Sequence, residues 1–196
     1  MSSSTVDVPP QAVRALRVAN RAGFGMSSDH DTGSLLRTLA ATKPGGRLLE
    51  VGTGVGVGAA YLLAGMDPTA RLTTLERGPA IANAARTLLT DDERVEVVTT
   101  DAVEWLTAYD GPPFDLVFVD TTSAKFERRD LLFVHLAPGA LFIADDLLPQ
   151  DKWTEAHGPR VERFRREIVA EPNLVTTLID WGSGLVVAAY RGDGGE

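Results

Sequence analysis

The stretch Leu48-Leu49-Glu50-Val51-Gly52-Thr53-Gly54-Val55-Gly56 decides the fold. Its first half is apolar and reads as a strand buried on both faces. Its second half alternates glycine with small residues. Glycine lets the backbone turn tightly and approach a ligand with no Cβ in the way. The run that follows, Val57–Gly65, has the length and composition of a helix. A strand, a glycine turn and a helix in this order leave the unpaired N–H groups of the helix start facing whatever occupies the turn.

Outward from this unit the pattern repeats. Strands are expected at Arg47–Val51, Arg71–Glu76, Arg94–Thr99, Asp115–Asp120 and Ala140–Asp145, all rich in Val, Leu, Ile or Phe. Helices are expected at Val57–Gly65, Pro79–Leu89, Ala102–Tyr109 and Lys125–His135, with Pro138-Gly139 turning the chain into the fifth strand. Alternation of this kind specifies an α/β fold with a mostly parallel sheet covered by helices on both faces. Leu174–Ile179 and Gly184–Tyr190 flank a short polar turn and read as an antiparallel hairpin at one sheet edge. Two further helices, Pro10–Ala22 and Thr32–Thr42, precede the first strand, joined by the loop Gly23–Asp31. In the late helix Pro159–Val169, Val161, Phe164 and Ile168 recur at helical spacing, and the segment Arg160–Arg166 reads as its solvated face.

With 196 residues the chain suits one well-buried domain, expected over 10–196 behind a flexible tail at 1–9. No apolar run reaches the roughly 18 residues that a membrane helix needs. The start lacks the basic and apolar regions of a secretory signal, so a cytoplasmic location is expected. The absence of cysteine excludes disulfides, thiolate metal sites and cysteine nucleophiles. A net charge of −8 argues against nucleic acid as a partner.

In an open α/β sheet, ligands bind outside the carboxyl ends of the strands. Glu50, Glu76, Asp101, Asp120 and Asp145-Asp146 all fall at that rim. Clustered like charges repel, so a cationic ligand or a metal would relieve them. The group facing the glycine turn is a pyrophosphate in a dinucleotide enzyme, and can be the carboxylate of a methionine moiety in a methyltransferase. Glu76 is placed to accept hydrogen bonds from both hydroxyls of a ribose. Asp101 can cap the helix that begins at Ala102 or reach an adenine amino group.

Glu50-Val51-Gly52-Thr53-Gly54, Glu76, Thr100-Asp101-Ala102-Val103-Glu104, Phe114-Asp115-Leu116-Val117-Phe118-Val119-Asp120 and Pro138-Gly139-Ala140-Leu141-Phe142-Ile143-Ala144-Asp145-Asp146 follow one another in order. Together they resemble the small class I S-adenosylmethionine (SAM)-dependent methyltransferases related to catechol and caffeoyl-CoA O-methyltransferases. Met26-Ser27-Ser28-Asp29 is similar to the family segment over the methionine end of SAM. The resemblance covers about Gly23 to Arg191. It implies a Rossmann-like, seven-stranded sheet and methyl transfer to a small-molecule hydroxyl, assisted by Mg²⁺ or another divalent cation. It implies SAM contacts at Met26, Ser28, Glu50, Gly52, Thr53, Gly54, Gly56, Glu76, Arg77, Asp101, Ala102 and Asp120, and a metal at Asp120, Asp145 and Asp146. A homodimer is compatible with it.

The chain also departs from the family. Asp146 stands where Asn is usual. Ser123 stands where the family carries a Lys, a candidate general base, and the nearest Lys is Lys125. The loop leading to Pro138 is shortened, and Trp181-Gly182-Ser183-Gly184 replaces an Asp-Gly turn. Candidate catalytic residues are therefore Asp120, Lys125 and His157. His157 and Trp153 lie in the polar stretch Pro149–Pro159, a candidate lid over the acceptor. Three alternatives stay open: a metal-independent methyltransferase with a side-chain base, a non-catalytic SAM-binding protein, and an NAD(P)-dependent oxidoreductase, since Gly54-x-Gly56-x-x-Ala59 also fits the dinucleotide fingerprint.

Overall fold

The computed structural model describes residues 7–151 and 153–192. A seven-stranded sheet in the order β3-β2-β1-β4-β5-β7-β6 organises them. The strands are β1 (Arg47–Val51), β2 (Arg71–Glu76), β3 (Val95–Thr99), β4 (Phe114–Val119), β5 (Leu136–Ala144), β6 (Leu174–Ile179) and β7 (Leu185–Tyr190). The first five pair in parallel, and β7 lies antiparallel to both β5 and β6. The expected hairpin therefore exists, with β7 inserted beside β5 and β6 at the edge.

The central strands divide their side chains between two faces, as period-two geometry demands. Leu49, Val51, Val117 and Val119 point into a core completed by Leu106, Phe164 and Ile168. Their chain neighbours Leu48, Leu116 and Phe118 point the other way, onto Leu36, Leu62 and Leu63. Helices α2 (His30–Ala41), α3 (Val57–Gly65) and α4 (Pro79–Leu89) supply one side; α5 (Ala102–Ala108) and α7 (His157–Val169) supply the other. Val161, Phe164 and Ile168 of α7 are buried as their spacing requires. Helix α1 (Pro10–Ala22) forms an outer layer, packing Ala12, Ala15 and Ala19 against Val57, Ala60 and Tyr61. Of the expected tail at 1–9, residues 1–6 lie outside the described residues. Val8 packs on this outer cluster, and Arg37 Nη1 donates to the Asp7 carbonyl at 3.3 Å.

Two expectations are corrected between β4 and β5. The helix expected at Lys125–His135 is instead a π-helical turn, Ser123–Glu127, followed by a short helix α6, Asp130–Phe133. Ala124, Lys125 and Phe126 are buried in succession, which a straight amphipathic helix cannot do. Widening the turn, with Arg128 N–H donating to the Ser123 carbonyl at 3.0 Å, makes it possible. Strand β5 also begins earlier than expected. Leu136 pairs with Phe114, and Pro138-Gly139 sits in an irregularity within the strand rather than before it. Gly139, with φ 80°, supplies the kink.

Candidate active site

A cavity of about 520 Å³ opens at the carboxyl ends of β1, β2, β3 and β4. Its floor is the glycine turn. At Gly52, φ is 106°, and an added Cβ would stand 2.7 Å from the Asp120 carbonyl oxygen. Only glycine lets the ends of β1 and β4 approach this closely. Phe24, just beyond the left-handed cap of α1, covers Gly54, and Met26, Ser27 and Ser28 continue the wall. Asp29 ends this loop by capping α2, accepting from Thr32 N–H at 2.7 Å.

Glu76 holds the turn from the side. Its Oε2 accepts from Gly54 N–H at 3.0 Å and its Oε1 from Gly78 N–H at 2.8 Å. Arg77 stands exposed at the rim. Asp101 caps α5, with one oxygen accepting from Val103 N–H at 2.9 Å and Glu104 N–H at 3.3 Å, and it lines the cavity beside Ala102. Both functions allowed for Asp101 therefore remain open to one side chain.

Glu50 lies beneath the turn, 1% exposed. A relay of hydroxyls reaches it: Thr53 meets Thr74 at 2.6 Å, and Thr74 donates to Glu50 Oε2. Burial pushes its carboxyl up to about 8, against the opposing pull of the Thr74 hydrogen bond; the nearby Glu76 and Asp145 raise it further. Helix α3 runs so close that a Cβ on Gly58 would collide with Glu50 Oε1. Thr53 lines the cavity, but its hydroxyl is engaged by Thr74.

Asp120, Asp145 and Asp146 converge beyond the ends of β4 and β5, each offering a carboxylate oxygen within 4.8 Å of the others. Burial and the neighbouring Asp145 hold Asp120 well above the usual carboxylate range. Burial likewise lifts Asp145, to about 6, although Lys125 opposes the rise. Asp146 has φ 57°, in the left-handed region. Asn and Asp tolerate that conformation better than other side chains. Gln150 Nε2 donates to Asp146 Oδ1 at 2.5 Å. Asp145 is the least exposed of the three and faces a smaller adjoining cavity with Ser27, Asp29 and Ser183.

The π-helical turn delivers Lys125 to this cluster. It is 3% exposed, and its Nζ donates to the Asp145 carbonyl at 2.7 Å and lies 3.5 Å from Asp145 Oδ1. Ser123 also lines the cavity. His157 begins α7 rather than lying in a loop. Its ring sits 4.6 Å from that of Trp153 and 5.5 Å from that of Phe126, and His157 and Trp153 both face the cavity.

Gly56 is the exception among the expected cofactor contacts. It does not line the cavity: with φ 94° it begins α3 and faces Leu88, Leu89 and Ala85 of the α4 region. Its role is close helix packing. Phe24, Ile81 and Thr121 line the cavity without having been singled out from the sequence. The first two are apolar residues near helix ends, with nothing in their pattern to separate them from core.

Known proteins agree with this architecture. The family model described as a methyltransferase domain matches residues 49–147. A catechol O-methyltransferase of Mycobacterium tuberculosis is 31% identical over 153 residues, covering 76% of this chain and 70% of that protein. The O-methyltransferase TomG from Streptomyces achromogenes, solved in complex with SAM, superposes with a TM-score of 0.84 at 24% identity, covering 97% of this chain and 94% of that one. A cofactor-bound structure from MTB superposes with a TM-score of 0.84 at 27% identity, with the same coverage of 97% and 94%. The glycine turn, the acidic rim, the sheet order and these likenesses agree, and the chain belongs to the class I SAM-dependent O-methyltransferases.

Proposed function

We propose that the protein transfers the sulfonium methyl group of SAM to a hydroxyl oxygen of a small acceptor. One observation carries this reading: a single cavity brings the glycine turn and Glu76 together with Asp120, Lys125, Asp146, Trp153 and His157. In this assignment Gly52, Thr53 and Gly54 support the cofactor from below, Met26 and Ser28 cover its methionine end, and Glu50, which burial holds protonated, supports the turn from beneath through Thr74 and Thr53. Glu76 accepts from the ribose hydroxyls, while Asp101, Ala102 and Arg77 flank the base. Negative charge around a sulfonium favours binding of the cation.

The reaction is an in-line displacement. The acceptor oxygen bonds the methyl carbon as the carbon–sulfur bond breaks, leaving S-adenosylhomocysteine, and the hydroxyl proton passes to a base. Alignment and exclusion of water supply much of the acceleration. Trp153 and His157 form an aromatic wall suited to a flat acceptor ring.

We assign Asp120, Asp145 and Asp146 to a divalent cation. Their hard oxygen donors suit Mg²⁺ or Ca²⁺, and a cation offsets the burial and the neighbouring negative charge that raise Asp120 and Asp145. Such an ion supplies one thing when bound: it makes the acceptor hydroxyl easier to deprotonate. A metal-free second reading is favoured by Lys125, whose ion pair already brings positive charge to the cluster. In that reading His157 takes the proton. Methyl transfer to a panel of catechols, with and without EDTA, separates the two. EDTA and Asp145→Asn abolish turnover in the first; His157→Gln does so in the second.

No helix among the described residues is long and apolar enough to cross a membrane.

A further inference from the structure

Lys125 arrives at the aspartate cluster by an unusual route. Regular helical geometry from Thr121 onward would not bury Ala124, Lys125 and Phe126 together; the π-helical turn does, and it aims the lysine under Asp145. The bond from Nζ goes first to the Asp145 carbonyl, at 2.7 Å, and only at 3.5 Å to the carboxylate. That carbonyl belongs to the peptide leading into Asp146, the residue held at φ 57°. One ammonium thus fixes the direction of the Asp145–Asp146 peptide and places a positive charge beside the carboxylates. It is 3% exposed, so solvent screens it little.

We propose that Lys125 is a built-in counter-cation of the aspartate cluster, competing electrostatically with any divalent ion there while orienting Asp146. The inference rests on the reading of Asp120, Asp145 and Asp146 as a cation site. A fixed positive charge within a few ångströms weakens the binding of a second cation strongly when both are shielded from water. Lys125 is accordingly a positioning residue, and the site is tuned towards weak, exchangeable metal rather than a resident ion.

The test is calorimetric titration of Mn²⁺ into the full-length protein saturated with S-adenosylhomocysteine. Lys125→Gln keeps a donor for the Asp145 carbonyl and removes the charge. Its Mn²⁺ affinity is expected to rise about tenfold or more, with Lys125→Arg staying within about threefold of the wild type. Unchanged or weaker binding in Lys125→Gln overturns the proposal, as does the absence of Mn²⁺ binding in every variant. Lys125→Met is the second neutral variant if Lys125→Gln does not fold. Failure of both to fold, with Lys125→Arg folded, also overturns it, because the ammonium would then be structural. Heat with S-adenosylhomocysteine, measured separately in each protein, reports on the cofactor assignment independently of this result.

Discussion

Gly54 and Glu76 are joined directly: the glycine N–H donates to Glu76 Oε2 at 3.0 Å. The glycine turn and the acid of the second strand would be expected to hold opposite ends of a ligand. They meet instead, so one carboxylate both braces the turn and faces the cavity. Charge-assisted bonds of this kind contribute roughly 1.5–3 kcal/mol. Glu76→Ala should therefore weaken binding of S-adenosylhomocysteine by about ten- to a hundredfold. Titration calorimetry checks it, and an affinity within twofold of the wild type would remove Glu76 from the cofactor site.

Glu50 makes stability depend on pH. Its folded value of about 8 lies above the ordinary 4.5, so the folded state holds a proton that the unfolded state releases. Stability from this group is greatest below about 4.5 and declines as pH rises through 8. Glu50→Gln removes the titration. Urea unfolding should show the variant gaining on the wild type as pH climbs from 5 to 9, by a difference on the order of 3 kcal/mol. A gap that does not change with pH would contradict the assignment.

Gly52→Ala tests the closeness of β1 and β4. The added methyl meets the Asp120 carbonyl at 2.7 Å, at a φ of 106° that alanine rarely adopts. A loss of about 2–4 kcal/mol is expected in equilibrium unfolding, together with loss of cofactor binding. An alanine variant of native stability would mean that this turn is looser than described.

Trp153 lines the cavity against His157, where the proposed function seats the acceptor. Trp153→Ala should raise KM for an aromatic acceptor about tenfold and leave the affinity for S-adenosylhomocysteine unchanged. Equal weakening of both would make it a general support of the loop.

The central fold was legible because its signals are local. Apolar strands, the Gly52–Gly56 turn and the Pro79 start of α4 each follow from a few adjacent residues. The acids at the strand ends were legible too, since topology alone places them on one rim. What escaped the sequence depends on contacts between distant segments. The π-helical turn sets Lys125 against Asp145, twenty residues away. The early start of β5 depends on Phe114 pairing with Leu136, and the packing of Gly56 against α4 depends on a helix about thirty residues away. Phe24 and Ile81 reach the cavity only through the path of the chain around it.

Titration of S-adenosylhomocysteine, SAM and NAD in turn into the folded full-length protein tests the account most directly. Saturable one-to-one binding of both adenosyl compounds, with no heat from NAD, is the predicted result. Binding of NAD alone, or of neither adenosyl compound, would contradict it.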